Sequence, residues 1–122
     1  MDTSALLESV PTGLWIGGQE RASSSTFNVL DPSDDQVLTA VADATAEDAT
    51  AALDAACAVQ AAWAATPPRK RGEILRSVFE TITERADDIA ALMTLEMGKV
   101  VAESKGEVTY GAEFFRWFAE EA

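Results

Sequence analysis

Apolar and polar positions along the chain follow two successive periods. Up to about Ala44 apolar residues come in short runs or in alternation, and from Thr45 onward they recur every three or four positions. The first period predicts strands and the second predicts helices. "GLWIGGQE" (13–20) sets Leu14, Trp15 and Ile16 before Gly17-Gly18, which predicts a short strand and a tight turn. "ASSS" (22–25) is a polar loop. "TFNVLDP" (26–32) alternates Phe27 and Val29 with Thr26 and Asn28, the pattern of a half-buried strand. "DPSDD" (31–35) supplies turn chemistry, because proline presets φ and aspartate bonds nearby backbone. "QVLTAVADA" (36–44) predicts the return strand. A β-hairpin is therefore expected over about 13–44, with residues 1–12 a loose arm.

Four helices are expected after it, over about 46–64, 67–84, 85–97 and 100–121. Thr45 followed by Asp48 resembles a capping box, in which side chain and backbone satisfy each other at a helix start. Behind it Ala52, Ala55, Val59 and Ala62 form a stripe of small residues, expected to bring the helix close to a neighbour. Pro67-Pro68 suits a first turn, where the missing N–H has no partner to lose. Leu75, Val78 and Ile82, widened by Ile74 and Phe79, make the next stripe. Ala86, Ile89, Ala90 and Met93 make the third. Gly98 is placed to end that helix in a left-handed conformation, with Lys99 beside its negative end. Gly106 and Gly111 weaken the last helix and hint at close backbone approach.

A Gly-Lys pair ahead of a helix, "TLEMGKVVAESKGEV" (94–108), invites comparison with a phosphate loop. Such a loop requires G-x-x-x-x-G-K-[ST] after a strand, so that successive N–H groups cradle phosphate. Here a helix precedes, the first glycine is absent and Val100 follows Lys99. The local chemistry is that of a helix C-terminus.

Composition narrows the functional classes. The apolar fraction is 48%, but alanine supplies much of it and buries little area. The core is thus expected to rest on Trp15, Trp63, Phe79, Phe114, Phe115, Trp117 and Phe118. Nine basic against 21 acidic residues give a formal charge of −12, which disfavours nucleic acid and anionic membrane surfaces as partners. The one tight basic cluster, Arg69-Lys70-Arg71, reads as a solvated first turn. One cysteine and no histidine exclude an intrachain disulfide and a Cys/His zinc site. "MDTSALLESVPTGLW" lacks the basic start and apolar run of a signal peptide, and no apolar stretch nears the ~20 residues of a membrane span. A cytoplasmic, soluble protein is expected.

The succession of these pieces resembles the N-terminal segment of the aldehyde dehydrogenase superfamily, over residues 13–122. The resemblance is carried by "LWIGGQE", "FNVLDPSDDQVLTAVADATAEDATAALDAA", "AAWAATPPRKRGEILRSVFETITERADDIAALMTLEMGKVVAESKGEV" and "FFRWFAEEA". The run "LEMGK…AE…GEV" is the most specific. "GEVTYGAEFFRWFAEEA" is most similar to the succinate-semialdehyde dehydrogenases. The resemblance implies an α/β fold, of which this segment is an incomplete domain: the N-terminal hairpin and about four helices of a cofactor domain. It also implies oxidation of an aldehyde to a carboxylic acid with NAD or NADP, and a homo-oligomer when complete. In the family a cysteine thiolate attacks the carbonyl, hydride passes to the nicotinamide, and a glutamate-activated water releases the acid. Those residues and the cofactor-binding glycine motif lie downstream of the segment matched here. Cys57 does not match the nucleophile; it sits in an alanine-rich helix and reads as a small buried or half-buried apolar residue. No residue of this chain matches a catalytic, cofactor-contacting or metal-ligating motif, so the chain alone is expected to be inactive and cofactor-free.

The same resemblance places the helix carrying "GEVTYGAEFF" beside the tunnel that leads aldehyde to the cysteine. Glu107, Tyr110, Gly111 and Phe114 are the candidates to face it; their spacing of three or four puts them on one helix face. Tyr110 and Phe114 read equally well as core. Phe114 and Phe118 share a face, whereas Phe115 and Trp117 are expected to point elsewhere, and a helix apolar over so much of its circumference expects to be surrounded. That leaves a rival reading: a non-enzymatic acidic helical module that binds a partner through its aromatic C-terminal helix.

Overall fold

The computed structural model describes residues 3–122, which divide into two compact units, residues up to Ala65 and residues from Thr66 on. In the first unit, α1 (Thr3–Ser9) is followed by β1 (Leu14–Ile16), β2 (Gln19–Arg21), β3 (Ser25–Leu30), β4 (Val37–Asp43) and α2 (Ala46–Ala65). The loose arm expected over 1–12 is instead helical over Thr3–Ser9, while positions 1 and 2 of that arm lie outside the described residues. Seven residues are too few to hold a helix by propensity alone. Burial of Leu6, and a bond from Ser9 Oγ to the Leu6 carbonyl at 2.7 Å, fasten it.

The single expected hairpin is two separate two-stranded antiparallel sheets. Gly17 and Gly18 both hold positive φ, 64° and 78°, so the chain reverses within two residues and pairs Ile16 with Gln19 and Leu14 with Arg21. "QER" carries no apolar alternation because all of β2 is exposed, which is why the sequence pattern missed it. The second sheet pairs Ser25 with Asp43 through Leu30 with Val37, with an irregularity between Val29 and Leu30. Its turn is built by the aspartates. The Asp31 carboxylate accepts the Ser33 N–H at 2.8 Å, and the Ser33 hydroxyl first and that N–H second lower its pKa; Asp34 accepts the Gln36 N–H at 3.0 Å. Phe27, expected half-buried, is exposed.

The box at the start of α2 closes as its sequence demands. Asp48 Oδ2 accepts the Thr45 N–H and hydroxyl, both at 2.9 Å, and Thr45 Oγ1 accepts the Asp48 N–H at 3.2 Å. The small-residue stripe behind it does not pack as expected: Ala52, Val59 and Ala62 are exposed. α2 lies against the first hairpin instead, with Ala51 and Ala55 half-buried and Ala55 next to Gly17. Trp63 and Cys57 on this helix are exposed, the latter against the expectation of burial.

The second unit is three helices, α3 (Pro68–Glu84), α4 (Ala86–Met97) and α5 (Val101–Glu121). Pro68 opens α3, and Arg71 in the basic cluster donates to the Thr66 carbonyl at 2.6 Å while Arg69 pairs with Glu73. Leu75, Val78, Phe79 and Ile82 are half-buried, as are Ala86, Ile89 and Met93 on α4, where Ala90 is fully buried. α5 packs along both neighbours through Ser104, Val108 and Ala112. Gly106 and Gly111 do not permit that approach; a Cβ at either would meet nothing within 4 Å. Gly72 does, since a Cβ there would stand 2.6 Å from the Ala119 carbonyl oxygen.

The core therefore differs from the one expected. Its buried apolar members are Leu6, Ile16, Ala90, Val108 and Ala112. Trp15, Trp63, Phe114, Phe115, Trp117 and Phe118 are all exposed, and Phe79 is half-buried. In the second unit the helices meet most closely through Gly72, Ala90, Ser104, Val108 and Ala112, with Phe79 half-buried beside them, and Phe114, Phe115, Trp117 and Phe118 lie outside that contact.

Candidate functional site

α5 has two apolar faces. It starts without a side-chain cap, at Val100 in an extended conformation, immediately after the turn that closes α4. Gly98 forms that turn with φ 70° and ψ 13°, and its N–H bonds the Thr94 carbonyl at 2.9 Å. Lys99, four-fifths covered, reaches across to the Glu107 carboxylate. The Gly98 N–H is already bonded and the lysine already paired, so Gly98-Lys99 offers no phosphate cradle.

One face of α5 carries Ser104, Val108 and Ala112, four residues apart, and points into the helical unit. Ser104 is wholly buried, and its hydroxyl bonds Thr94 Oγ1 at 3.0 Å, so neither polar group is left unsatisfied. Lys105 pairs with Asp87 on α4 at 2.7 Å, and Arg76 on α3 pairs with Glu120. These contacts fix the rotation of α5 about its own axis.

With that rotation fixed, the other side of the helix is set. At about 3.6 residues per turn, Tyr110, Glu113, Phe114 and Trp117 point away from the buried face and Phe118 falls at its edge. They line an open groove of about 390 Å³. Tyr110 and Phe114 meet edge to face, ring centroids 5.1 Å apart at 88°, the arrangement favoured by aromatic quadrupoles. Tyr110 is 69% exposed, Phe114 48%, Trp117 60% and Phe118 56%. The one charged liner, Glu113, accepts a bond from Arg116 Nε at 2.7 Å. That bond and the adjacent negative charge raise the Arg116 pKa further above its ordinary value. A smaller groove of about 340 Å³ joins Phe114, Phe115 and Phe118 to Leu75 of α3.

Of the four expected site residues, the structure brings Tyr110 and Phe114 into one groove. Glu107 stands a turn earlier, tied to Lys99, and Gly111 leaves the helix surface open beside it. Trp117 was expected to point elsewhere, yet it shares the groove, because three residues beyond Phe114 is still the same face. Glu113 and Phe118 complete the lining. Their spacing of three and four from Tyr110 and Phe114 is the signal that finds them in the sequence. Among the described residues no group of three His, Cys, Asp or Glu is placed to hold a metal, and no helix is long and apolar enough to cross a membrane.

Comparison with known proteins places this helix in context. Residues 19–122 match the model of the aldehyde dehydrogenase family. A succinate-semialdehyde dehydrogenase of Paenarthrobacter nicotinovorans is 62% identical over 85 residues, 70% of this chain and 19% of the relative. The NADP(+) succinate-semialdehyde dehydrogenase of Escherichia coli is 40% identical over 109 residues, 89% of this chain and 22% of the relative. The chain thus spans about a fifth of the length of these curated relatives. Among solved structures, betaine aldehyde dehydrogenase of Staphylococcus aureus in complex with NAD+ superposes with a TM-score of 0.91 and 28% identity, covering 98% of this chain and 24% of that one.

Proposed function

The chain belongs to the aldehyde dehydrogenase family as an N-terminal segment, an incomplete α/β piece, and we propose that it serves an NAD(P)-dependent enzyme that oxidises succinate semialdehyde to the dicarboxylic acid. The single observation that carries this reading, beyond family membership, is the aromatic groove on α5, where Tyr110 and Phe114 stand in contact on an exposed face. In the complete enzyme this face borders the path of the aldehyde, with Glu107, Tyr110, Gly111 and Phe114 along it. Glu107 enters that path already paired with Lys99, so it does not confront an anionic aldehyde with a bare negative charge. Residues 13–122 form the opening part of the cofactor domain, and contacts to NAD or NADP come from elsewhere, consistent with the occupied groups at Gly98-Lys99. The enzyme is cytoplasmic and homo-oligomeric when complete.

The isolated chain is inactive on this reading, since neither nucleophile nor base is assigned to it. Cys57 is exposed on α2 in alanine-rich surroundings. Purified chain given NAD or NADP and succinate semialdehyde is expected to show no turnover. Turnover abolished by Cys57→Ala would overturn the placing of the nucleophile outside this segment. The tunnel wall is tested in a chimera in which residues 19–122 replace the matching segment of the E. coli relative. Tyr110→Ala and Phe114→Ala are expected to change KM for the aldehyde while leaving NADP affinity unaltered. A fall in thermal stability alone would make these residues core.

The exposure of Phe114, Trp117 and Phe118 favours a second reading, in which the chain is an acidic interaction module that binds a partner through α5. Binding of the isolated chain to intact subunits, with loss of their activity, would support it.

A further inference from the structure

Charge divides unevenly between the two units. The first, up to Ala65, carries ten acidic residues and a single basic one, Arg21, a formal charge of −9. The second, from Thr66 on, carries eleven acidic against eight basic, a charge of −3. In the second unit acid meets base: Arg69 pairs with Glu73, Arg76 with Glu120, Lys99 with Glu107, Lys105 with Asp87 and Arg116 with Glu113. In the first, the carboxylates of Asp31, Asp34 and Asp48 turn to backbone N–H groups and a threonine hydroxyl. Such bonds hold each group in place and leave its charge uncancelled. The acidic side chains run from Glu8 on α1, through the β3–β4 turn, to Asp54 on α2, so the repulsion belongs to the unit as a whole.

Little burial opposes it. Leu6 and Ile16 are the buried apolar residues of this unit, and α2, its longest element, buries none. A compact body of this length has a radius of gyration of about 11 Å, against about 24 Å unfolded, so folding crowds like charges together. At about 0.01 M salt the screening length is ~30 Å and every carboxylate in the folded unit repels every other. At about 1 M it is ~3 Å, which spares only groups in direct contact, such as the bonds of the Thr45–Asp48 box at 2.9 Å.

We infer that ionic strength sets the order of the first unit. At low salt its own negative charge loosens the hairpins and α2; screening restores them. In the second unit salt weakens attraction and repulsion together, and its order is nearly independent of salt. The device rests on charge and burial and does not depend on the enzymatic reading.

Hydrogen exchange of the chain, resolved by segment, tests it in KCl at about 0.01, 0.15 and 1 M. Exchange across β3, β4 and α2 is expected to slow at least about tenfold between the first two concentrations and to change little beyond, because a screening length of ~8 Å is already shorter than the unit. Across α3, α4 and α5 the change is expected to stay below about threefold. Choline chloride is expected to act as KCl does. Glu8→Gln, Asp35→Asn and Asp54→Asn together remove three exposed charges outside the cap and turn bonds, and asparagine tolerates the positive φ of Asp35. Repulsion scales with the product of the charges, so this variant is expected to exchange more slowly than the parent at low salt and to lose roughly half of the salt response. Equal slowing in both units, or slowing that continues in proportion to salt up to the highest concentration, would replace screening with general solute exclusion and overturn the inference. A response to KCl and not to choline chloride would overturn it in favour of a bound cation. An unchanged response in the triple variant would overturn it as well.

Discussion

Gly98 holds φ 70°, a region where any side chain with a Cβ is strained, between the end of α4 at Met97 and the extended Val100. Gly98→Ala is expected to destabilise the chain by roughly 1 kcal/mol or more, measured by denaturant melts. Gly111 gives the opposite expectation. It lies inside α5 with regular helical neighbours and open space where a Cβ would go, so Gly111→Ala is expected to stabilise by up to ~1 kcal/mol. Equal signs for the two substitutions would refute this account of them. At the start of α2, Asp48 accepts the Thr45 N–H and hydroxyl, which lowers its carboxyl pKa, the backbone bond being the larger cause. A carboxyl with a lowered folded pKa binds fewer protons folded than unfolded in the window between the two values, so its contribution is complete above the ordinary aspartate pKa of about 3.9. It is lost as pH falls through the lowered value. The melting difference between the parent and Asp48→Ala is expected to be constant near neutrality and to shrink below about pH 4; a difference that persists at pH 2 would show that the box does not depend on ionisation.

Each helix meets its neighbours through a different chemistry, and α5 shows why this governs the site. Its orientation is set by small residues and one buried polar pair, Ser104 with Thr94, rather than by large apolar side chains. Thr94→Val leaves the Ser104 hydroxyl buried without a partner and is expected to cost about 1–3 kcal/mol. Adding Ser104→Ala to Thr94→Val is expected to recover most of that loss. Additive losses in the double variant would mean that the hydroxyl pair does not couple α4 to α5. The ladder of periodicity that predicts this helix is legible from Val100 to the C-terminus, and Val101–Glu121 is what forms. β2 was not legible, because a strand with every residue exposed carries no alternation to read. The stripe of α2 was legible but misleading. Alanine satisfies an apolar pattern without burying enough area to demand a partner, and Ala52 and Ala62 remain in solvent.

Both units leave large apolar side chains exposed, Trp15 and Trp63 in the first and Phe114, Trp117 and Phe118 in the second. The isolated chain is expected to bind a hydrophobic dye strongly, and Trp117→Glu with Phe118→Glu is expected to remove most of that signal. Dye binding unchanged by both would place the sticky surface elsewhere, with Val100, Trp15 and Leu53 the most exposed large apolar residues outside the groove. The sequence by itself determined the capping box at Thr45, the stop at Gly98, the stripes of α3 and α4 and the family, because each depends on residues close together in the chain and on the chemistry of their backbone. The tertiary structure alone decided which side of α5 faces inward. Val108 and Phe114 are both apolar and sit on the same helix; nothing local distinguishes them. The choice falls to Ser104, Val108 and Ala112 because their short side chains let α5 approach α3 and α4 closely, and the rotation this fixes places Tyr110, Phe114, Trp117 and Phe118 along one groove outside that contact.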